Sequence, residues 1–150
     1  MSARTEIVRR AHGALNRGDA EALSVLCAPD FRLDMSDRVL NPEVYSGHDG
    51  IRRFVAEVNE VWETFTWEPM DVKEVGDVVF ALVHSVGRGR GSGLEIERHS
   101  AMLWLIPEET LLALTFYRDP DAAQRAAGSV AEGPEMGMPE EGLEPPTRGL

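Results

Sequence analysis

Residues 49–62 place Ile51, Phe54, Val55, Val58, Val61 and Trp62 at helical spacing, so one broad apolar stripe runs the length of a helix. Just past Trp62 the period changes. FTWEPMDVKEV, VVFALVHSV, LEIERHSAMLWLI and LLALTFYRD read as extended segments, separated by the turns GD, GRGRGSG and PEET. Connections that short join antiparallel neighbours. A helix with one face to bury, followed by four such strands, restricts the chain to helix-on-sheet packing.

The upstream part supplies more cover. Residues 5–16 read as a helix with Ile7, Val8, Ala11, Ala14 and Leu15 on one stripe and Gly18 as its stop. Asp19 caps a second short helix, DAEALSVLCA, with Leu23 and Leu26 inward and Pro29 as its end. FRLDMSD alternates, with Phe31, Leu33 and Met35 on one face and Arg32, Asp34 and Ser36 on the other. Residues 37–47 read as a loop, and Asp49 or His48 starts the long helix, Asp49 being the better cap chemically. Pro69 marks FTWEPMDVKEV as an edge strand, and VVFALVHSV, apolar on both faces, should be covered on both sides. PDAAQRAAG forms a short closing helix that Gly128 stops. The expected fold is an α+β roll, a curved antiparallel sheet wrapped around its longest helix, spanning residues 1–128. Residues 129–150, rich in Gly, Pro and Glu and without period, are expected to be a disordered tail.

Composition excludes several classes. With 43% hydrophobic residues the chain can bury a core. The net charge is −11, of which five glutamates against Arg148 in residues 129–150 supply −4, so the body stays acidic. An acidic body without a concentrated basic face repels phosphate backbones, which argues against a nucleic-acid partner. No apolar run approaches the roughly 20 residues that cross a bilayer, and MSARTEIVRR has no signal-peptide core, so no membrane partner is expected and a cytoplasmic location is. The single Cys27 excludes an internal disulfide and sits where a buried thiol is inert. His12, His48, His84 and His99 show no ligand spacing, so neither metal nor cofactor is expected. GRGRGSG lacks the ending of a phosphate loop and joins two strands, as a flexible hairpin does.

The strand from 94 to 106 is the most informative. Leu94, Ile96, Arg98, Ser100, Met102 and Trp104 share one face; Glu95, Glu97, His99, Ala101, Leu103 and Leu105 share the other. Both faces are apolar at the C-terminal end, so both need cover, and a homodimer would supply the second. Arg98 and Ser100 interrupt an apolar row. A guanidinium there either orients a ligand's carbonyl, enolate or carboxylate, or meets a native acid, or reaches the mouth of the roll. Arg118 ends the last strand as a second polar group at the pocket or as a partner of Asp119 and the closing helix. Asp34 faces outward on simple alternation; a β-bulge would turn it inward as a general base. His84, within ALVHSV, either lines the pocket or is a hydrogen-bonded core histidine.

Together, IVRRAHGALNRGDAEALSVLCAPDFRLDM, PEVYSGHDGIRRFVAEV, EVGDVVFALVHSVGRGRGSG and FYRDPDAAQRAAG resemble the SnoaL-like branch of the nuclear transport factor 2-like superfamily, over about residues 5–128. The resemblance implies a cone-shaped α+β roll and, for most relatives, a homodimer. Relatives include polyketide cyclases, ketosteroid isomerase, limonene epoxide hydrolase, scytalone dehydratase and catalytically silent binders. The isomerase base would align near Met35 and its oxyanion donor near Met102, and neither side chain can serve in those roles. The resemblance also puts Tyr45 at the rim of the cone, Gly47 in a turn, and Trp62 toward a cavity. That cavity would be lined by Met35, Trp62, Met102, Trp104 and Phe116, with Arg98, Ser100, Arg118 and His84 as polar contacts. The function it implies is binding of a small hydrophobic, carbonyl-bearing molecule. The protein is then a cofactor-independent cyclase, isomerase, dehydratase or hydrolase, or else a non-catalytic binding or dimerisation module.

Overall fold

Ser2 Oγ accepts a hydrogen bond from the Thr5 amide at 3.1 Å and starts helix α1 (Ala3–Arg17) in the computed structural model, which describes residues 2–131. Gly18, at φ 67°, ends α1 in the left-handed conformation that a side chain would disfavour. Asp19 then caps α2 (Ala20–Val25), its carboxylate accepting from the Ala22 amide at 3.0 Å. α2 stops four residues before Pro29, which lies inside strand β1 (Cys27–Asp34) instead of terminating a helix. The β1 register shifts between Cys27 and Arg32, and that irregularity accommodates a residue with no amide to donate.

The segment read as a loop contains a short strand, β2 (Val44–Ser46), antiparallel to β1. α3 (Gly47–Val61) follows at once, with Ser46 at the cap position. Asp49, the expected cap, sits in the first turn and pairs with Arg52 at 2.7 Å. Trp62 is both the end of α3 and the first residue of β3 (Trp62–Val75), so no loop separates them. β4 (Val78–Gly89), β5 (Glu95–Leu105) and β6 (Leu111–Tyr117) complete the sheet, and α4 (Pro120–Ala131) closes the described chain. The strand order is β2-β1-β6-β5-β4-β3, which puts β3 at an edge, as Pro69 suggests. β3 to β6 are antiparallel in succession, but β1 joins β6 in parallel, so the curved, unclosed sheet is mixed.

The sheet divides two apolar clusters. On the inner face, Val79, Ala81, Val83, Met102, Trp104, Leu114, Phe116, Phe31, Leu33 and Met35 pack against α1, α2 and α3. On the outer face, Val78, Phe80, Ala101 and Leu103 pack against Ala123 and Ala127 of α4. The alanines let α4 lie close to the sheet. α4 therefore supplies the second cover that the doubly apolar β5 requires, and this strand gives no reason to invoke a partner subunit. α4 also continues through Gly128, which does not stop it. The remainder of the expected tail lies outside the described residues. Among the described residues no helix is long and apolar enough to cross a membrane.

Candidate functional site

Five aromatic rings run in a row along the inner face, from the β2 end to the start of β3. Tyr45 meets Phe54 edge-on at 5.4 Å, and Phe54 meets Trp67 at 5.9 Å. Trp67 meets Phe65 at 4.6 Å, and Phe65 meets Trp62 at 5.2 Å. Offset and tilted pairs at such spacings are favourable beyond the area they bury. Gly87 makes the outer end of the row possible. A Cβ there would stand 2.7 Å from Phe65 Cδ2 and 3.1 Å from Trp62 Cε3, so the two rings rest on bare backbone of β4.

Burial falls along this row. Tyr45 is 1% exposed and Trp67 5%, whereas Trp62 and Phe65 are only half-buried. The outer rings form the floor of a half-open groove with a volume of ≈260 Å³. Its walls are the last turn of α1 from Leu15 to Gly18, the α3 face carrying Phe54, Val55, Val58 and Asn59, and β3 from Trp62 to Trp67. The floor is aromatic and the rim carries Asn16, Asn59, Glu63, Thr64 and Thr66, the make-up of a small-molecule site.

α1 is fastened to β3 at Trp67. The Trp67 amide donates to Asn16 Oδ1 at 2.7 Å, and the Trp67 carbonyl accepts from Asn16 Nδ2 at 3.2 Å. His12 Nδ1 lies 3.0 Å from the same carbonyl. A carbonyl oxygen only accepts, so Nδ1 carries the proton and Nε2 is a bare acceptor. Burial pushes the His12 pKa down to about 4, against the Trp67 carbonyl, which favours the cation, and with the Arg9 charge, which disfavours it. His12 is thus a neutral imidazole inside the cone. Sequence reading overlooked it because one histidine on an apolar helical stripe has no distinguishing spacing.

Of the ten site residues expected from sequence, Trp62 lines the groove. Met35, Met102, Trp104 and Phe116 are on the inner face as expected, but as closely packed core, each no more than 6% exposed. Ser100 is buried in the same row, with its hydroxyl lacking a partner among the described residues. Tyr45 is not a rim residue: its hydroxyl donates to Glu57 at 2.6 Å and accepts from Arg38 at 3.0 Å. Burial, and then the Glu57 acceptor, raise its pKa, with Arg38 opposing. Arg98 shares the inner row with Ser100 but is exposed. β5 pairs with β6 only from Ala101 onward, so at Arg98 the sheet has narrowed.

His84 and Asp34 lie on the outer face. His84 belongs to the row of Phe80 and Leu82, stacks on His99 at 4.9 Å, and approaches Glu97 at 2.5 Å. No bulge turns Asp34 inward; it pairs with Thr115 in register while Leu33, paired with Leu114, takes the inner position. Partial burial would raise the Asp34 pKa, but two hydrogen bonds from Ser36 and the Arg32 charge outweigh it and hold the carboxyl low. Arg118 is exposed and pairs with Asp37 at 3.5 Å, not with Asp119. Cys27 is buried, which pushes its thiol up to about 12 and leaves it unreactive. Among the described residues no cluster of His, Cys, Asp or Glu could hold a metal.

This architecture, a curved six-stranded mixed sheet with helices on the inner face, is that of the cone-shaped nuclear transport factor 2-like proteins. Within them, the chain belongs to the family described as the SnoaL-like domain, whose model matches residues 8–108. Among curated proteins none matches. Similar solved structures include an NTF2-like protein of unknown function from Burkholderia pseudomallei K96243, with a TM-score of 0.69 and 21% identity over 83% of this chain and 97% of that one. TerC, co-crystallised with polyporic acid, has a TM-score of 0.70 and 18% identity over 84% and 98%. A protein of ketosteroid isomerase-like fold from Catenulispora acidiphila DSM 44928, in complex with trimethylamine, has a TM-score of 0.69 and 19% identity over 82% and 92%.

Proposed function

We propose that this SnoaL-like protein binds a flat, largely apolar small molecule on the aromatic floor of the groove between α1, α3 and β3, and does so as a binding module without acid–base chemistry. The observation that carries this is the half-buried pair Trp62 and Phe65, packed over Gly87 in a groove that Asn59 also lines. The two ring planes stand 58° apart, so a planar ring system would stack on one of them and meet the other edge-on. A carbonyl at its edge would accept from Asn59 Nδ2, since both ends of the Asn16 amide are already engaged with Trp67. The binding-only reading is favoured because Asp34 and His84, the groups whose inward placement proton transfer requires, stand on the opposite face of the sheet.

TerC and the Catenulispora protein were crystallised with ligands as different as polyporic acid and trimethylamine, so the ligand class here follows from the groove itself. The test is a calorimetric titration with naphthoquinone and polyporic acid, with trimethylamine as the non-planar control. Trp62→Ala should weaken quinone binding by about tenfold or more, because losing ~60–80 Å² of apolar contact at ~25 cal/mol per Å² removes about 1.5–2 kcal/mol. Unchanged affinity in the variant, or no binding of either quinone by the parent, would refute the proposal.

A further inference from the structure

A shallow cleft between α1 and α2, with a volume of ≈440 Å³, gathers positive charge on an otherwise acidic protein. Its α1 side carries Glu6, Arg9, Arg10, Gly13 and Arg17, and its other side Ala22 and Leu26. Arg9, Gly13 and Arg17 recur at every fourth position, so they share one helical face. Gly13 lets the arginines converge. A Cβ there would stand 3.3 Å from Arg17 Nη1, so the Arg17 guanidinium lies back along α1 over bare backbone. Gly13 is three and four residues from Arg10 and Arg9, roughly 4.5–6 Å along the helix axis.

Elsewhere the arginines meet native acceptors. Arg4 pairs with Glu74 and Asp77, Arg52 with Glu21, Arg53 with Glu43, and Arg88 with Glu95. Among the described residues only Arg9, Arg17, Arg98 and Arg125 have neither an ion pair nor a hydrogen-bond acceptor, and two of these four stand in this cleft. The one carboxylate lining it, Glu6, is 3.4 Å from Arg10 and offsets that charge. Arg9 and Arg17 therefore leave about two positive charges uncompensated, in a chain with 26 acidic residues against 15 basic ones. A carboxylate would neutralise one of them. A phosphate monoester carries about two negative charges and accepts from both guanidinium groups. A polyanion would meet repulsion from the acidic surface beyond the cleft. We propose that the α1–α2 cleft binds the phosphate group of a small molecule, with Arg9 and Arg17 as its charge partners and Ala22 and Leu26 against its apolar body. The site does not depend on the aromatic groove being occupied.

The test is nuclear magnetic resonance of the full-length, nitrogen-15-labelled chain at constant ionic strength. Inorganic phosphate and phenyl phosphate are titrated in turn, with benzoate as the singly charged control. Both phosphates should shift the amides of residues 9–17 and 22–26 and leave α4 unmoved. Tighter binding of phenyl phosphate assigns the site to a phosphate ester; equal or weaker binding assigns it to free phosphate. Arg9→Gln should weaken phenyl phosphate about fivefold or more, the scale of one charge-assisted hydrogen bond at an open site. Arg125→Gln removes the same charge from an exposed position on α4 and should change nothing. Arg9 is the residue to replace because Arg17 also borders the aromatic groove, and Arg9→Gln should bind naphthoquinone as the parent does. No shift in α1 at saturating phosphate overturns the proposal. So does an Arg9→Gln variant that binds like the parent, an equal loss in the Arg125→Gln variant, or benzoate bound as tightly as phenyl phosphate.

Discussion

His12 should make the protein lose stability in mild acid, before its carboxylates begin to matter. Its imidazole is 1% exposed, and burial holds its pKa near about 4, against 6.5 in the ordinary state. Between those values the unfolded chain binds a proton that the folded chain refuses. Stability is therefore complete above about pH 6.5, falls as the pH drops through the window, and levels off near 4. One proton gives a slope of up to about 1.4 kcal/mol per pH unit, so moving from about pH 7.5 to about pH 5 costs about 2 kcal/mol. That is a large share of a typical domain's ~5–15 kcal/mol. Urea unfolding at several pH values measures it. His12→Asn is the reference, because an amide nitrogen can still donate toward the Trp67 carbonyl without titrating. His48, His84 and His99 are common to both proteins and cancel. The parent should lose about 2 kcal/mol more than the variant across this range. Parallel curves would refute the assignment of His12 as a buried, neutral imidazole.

Further perturbations test the packing. Gly87→Ala puts a methyl group 2.7 Å from Phe65 Cδ2, which forces the rings to move; it should cost about 1–3 kcal/mol in urea unfolding and weaken quinone binding together. Ala123→Asp places a carboxylate at a fully buried α4 position against the apolar outer cluster, and should destabilise by about 3 kcal/mol or more; a change near zero would mean that α4 does not cover the sheet. Arg98→Ala should leave stability within about 0.5 kcal/mol and quinone affinity unchanged, because Arg98 is exposed and outside the groove.

Where one period ran unbroken, the sequence was legible. The α3 stripe from Ile51 to Val58, the alternation of Phe31, Leu33 and Met35, and the row Met102–Trp104 each lie where their spacing puts them, because amphipathic periods record which face is buried, whereas Val61 at the end of that stripe is exposed and Trp62 already belongs to β3. Local chemistry was legible at Gly18 and Asp19, whose roles depend only on nearby backbone. The parallel pairing of β1 with β6 was not, since it joins segments some eighty residues apart through no local turn. Nor was β2, only three residues long, too short for a period. The site was harder still. Sequence alternation placed Met102, Trp104 and Phe116 on the inner face correctly, but could not tell a filled interior from a hollow one. The groove instead arises where α3 passes directly into β3, and Phe65 and Trp67 reach it because of register with Gly87 and Ser85 on β4. Of its aromatic floor, only Trp62 stood out in the sequence.

Chemical-shift mapping of the labelled protein during titration with naphthoquinone tests the ligand groove most directly. The perturbed amides and side chains should centre on Trp62, Phe65, Trp67 and the Asn59 amide, with His84, His99 and the outer face unmoved. Shifts centred on the outer face, or none at saturating quinone, would contradict it.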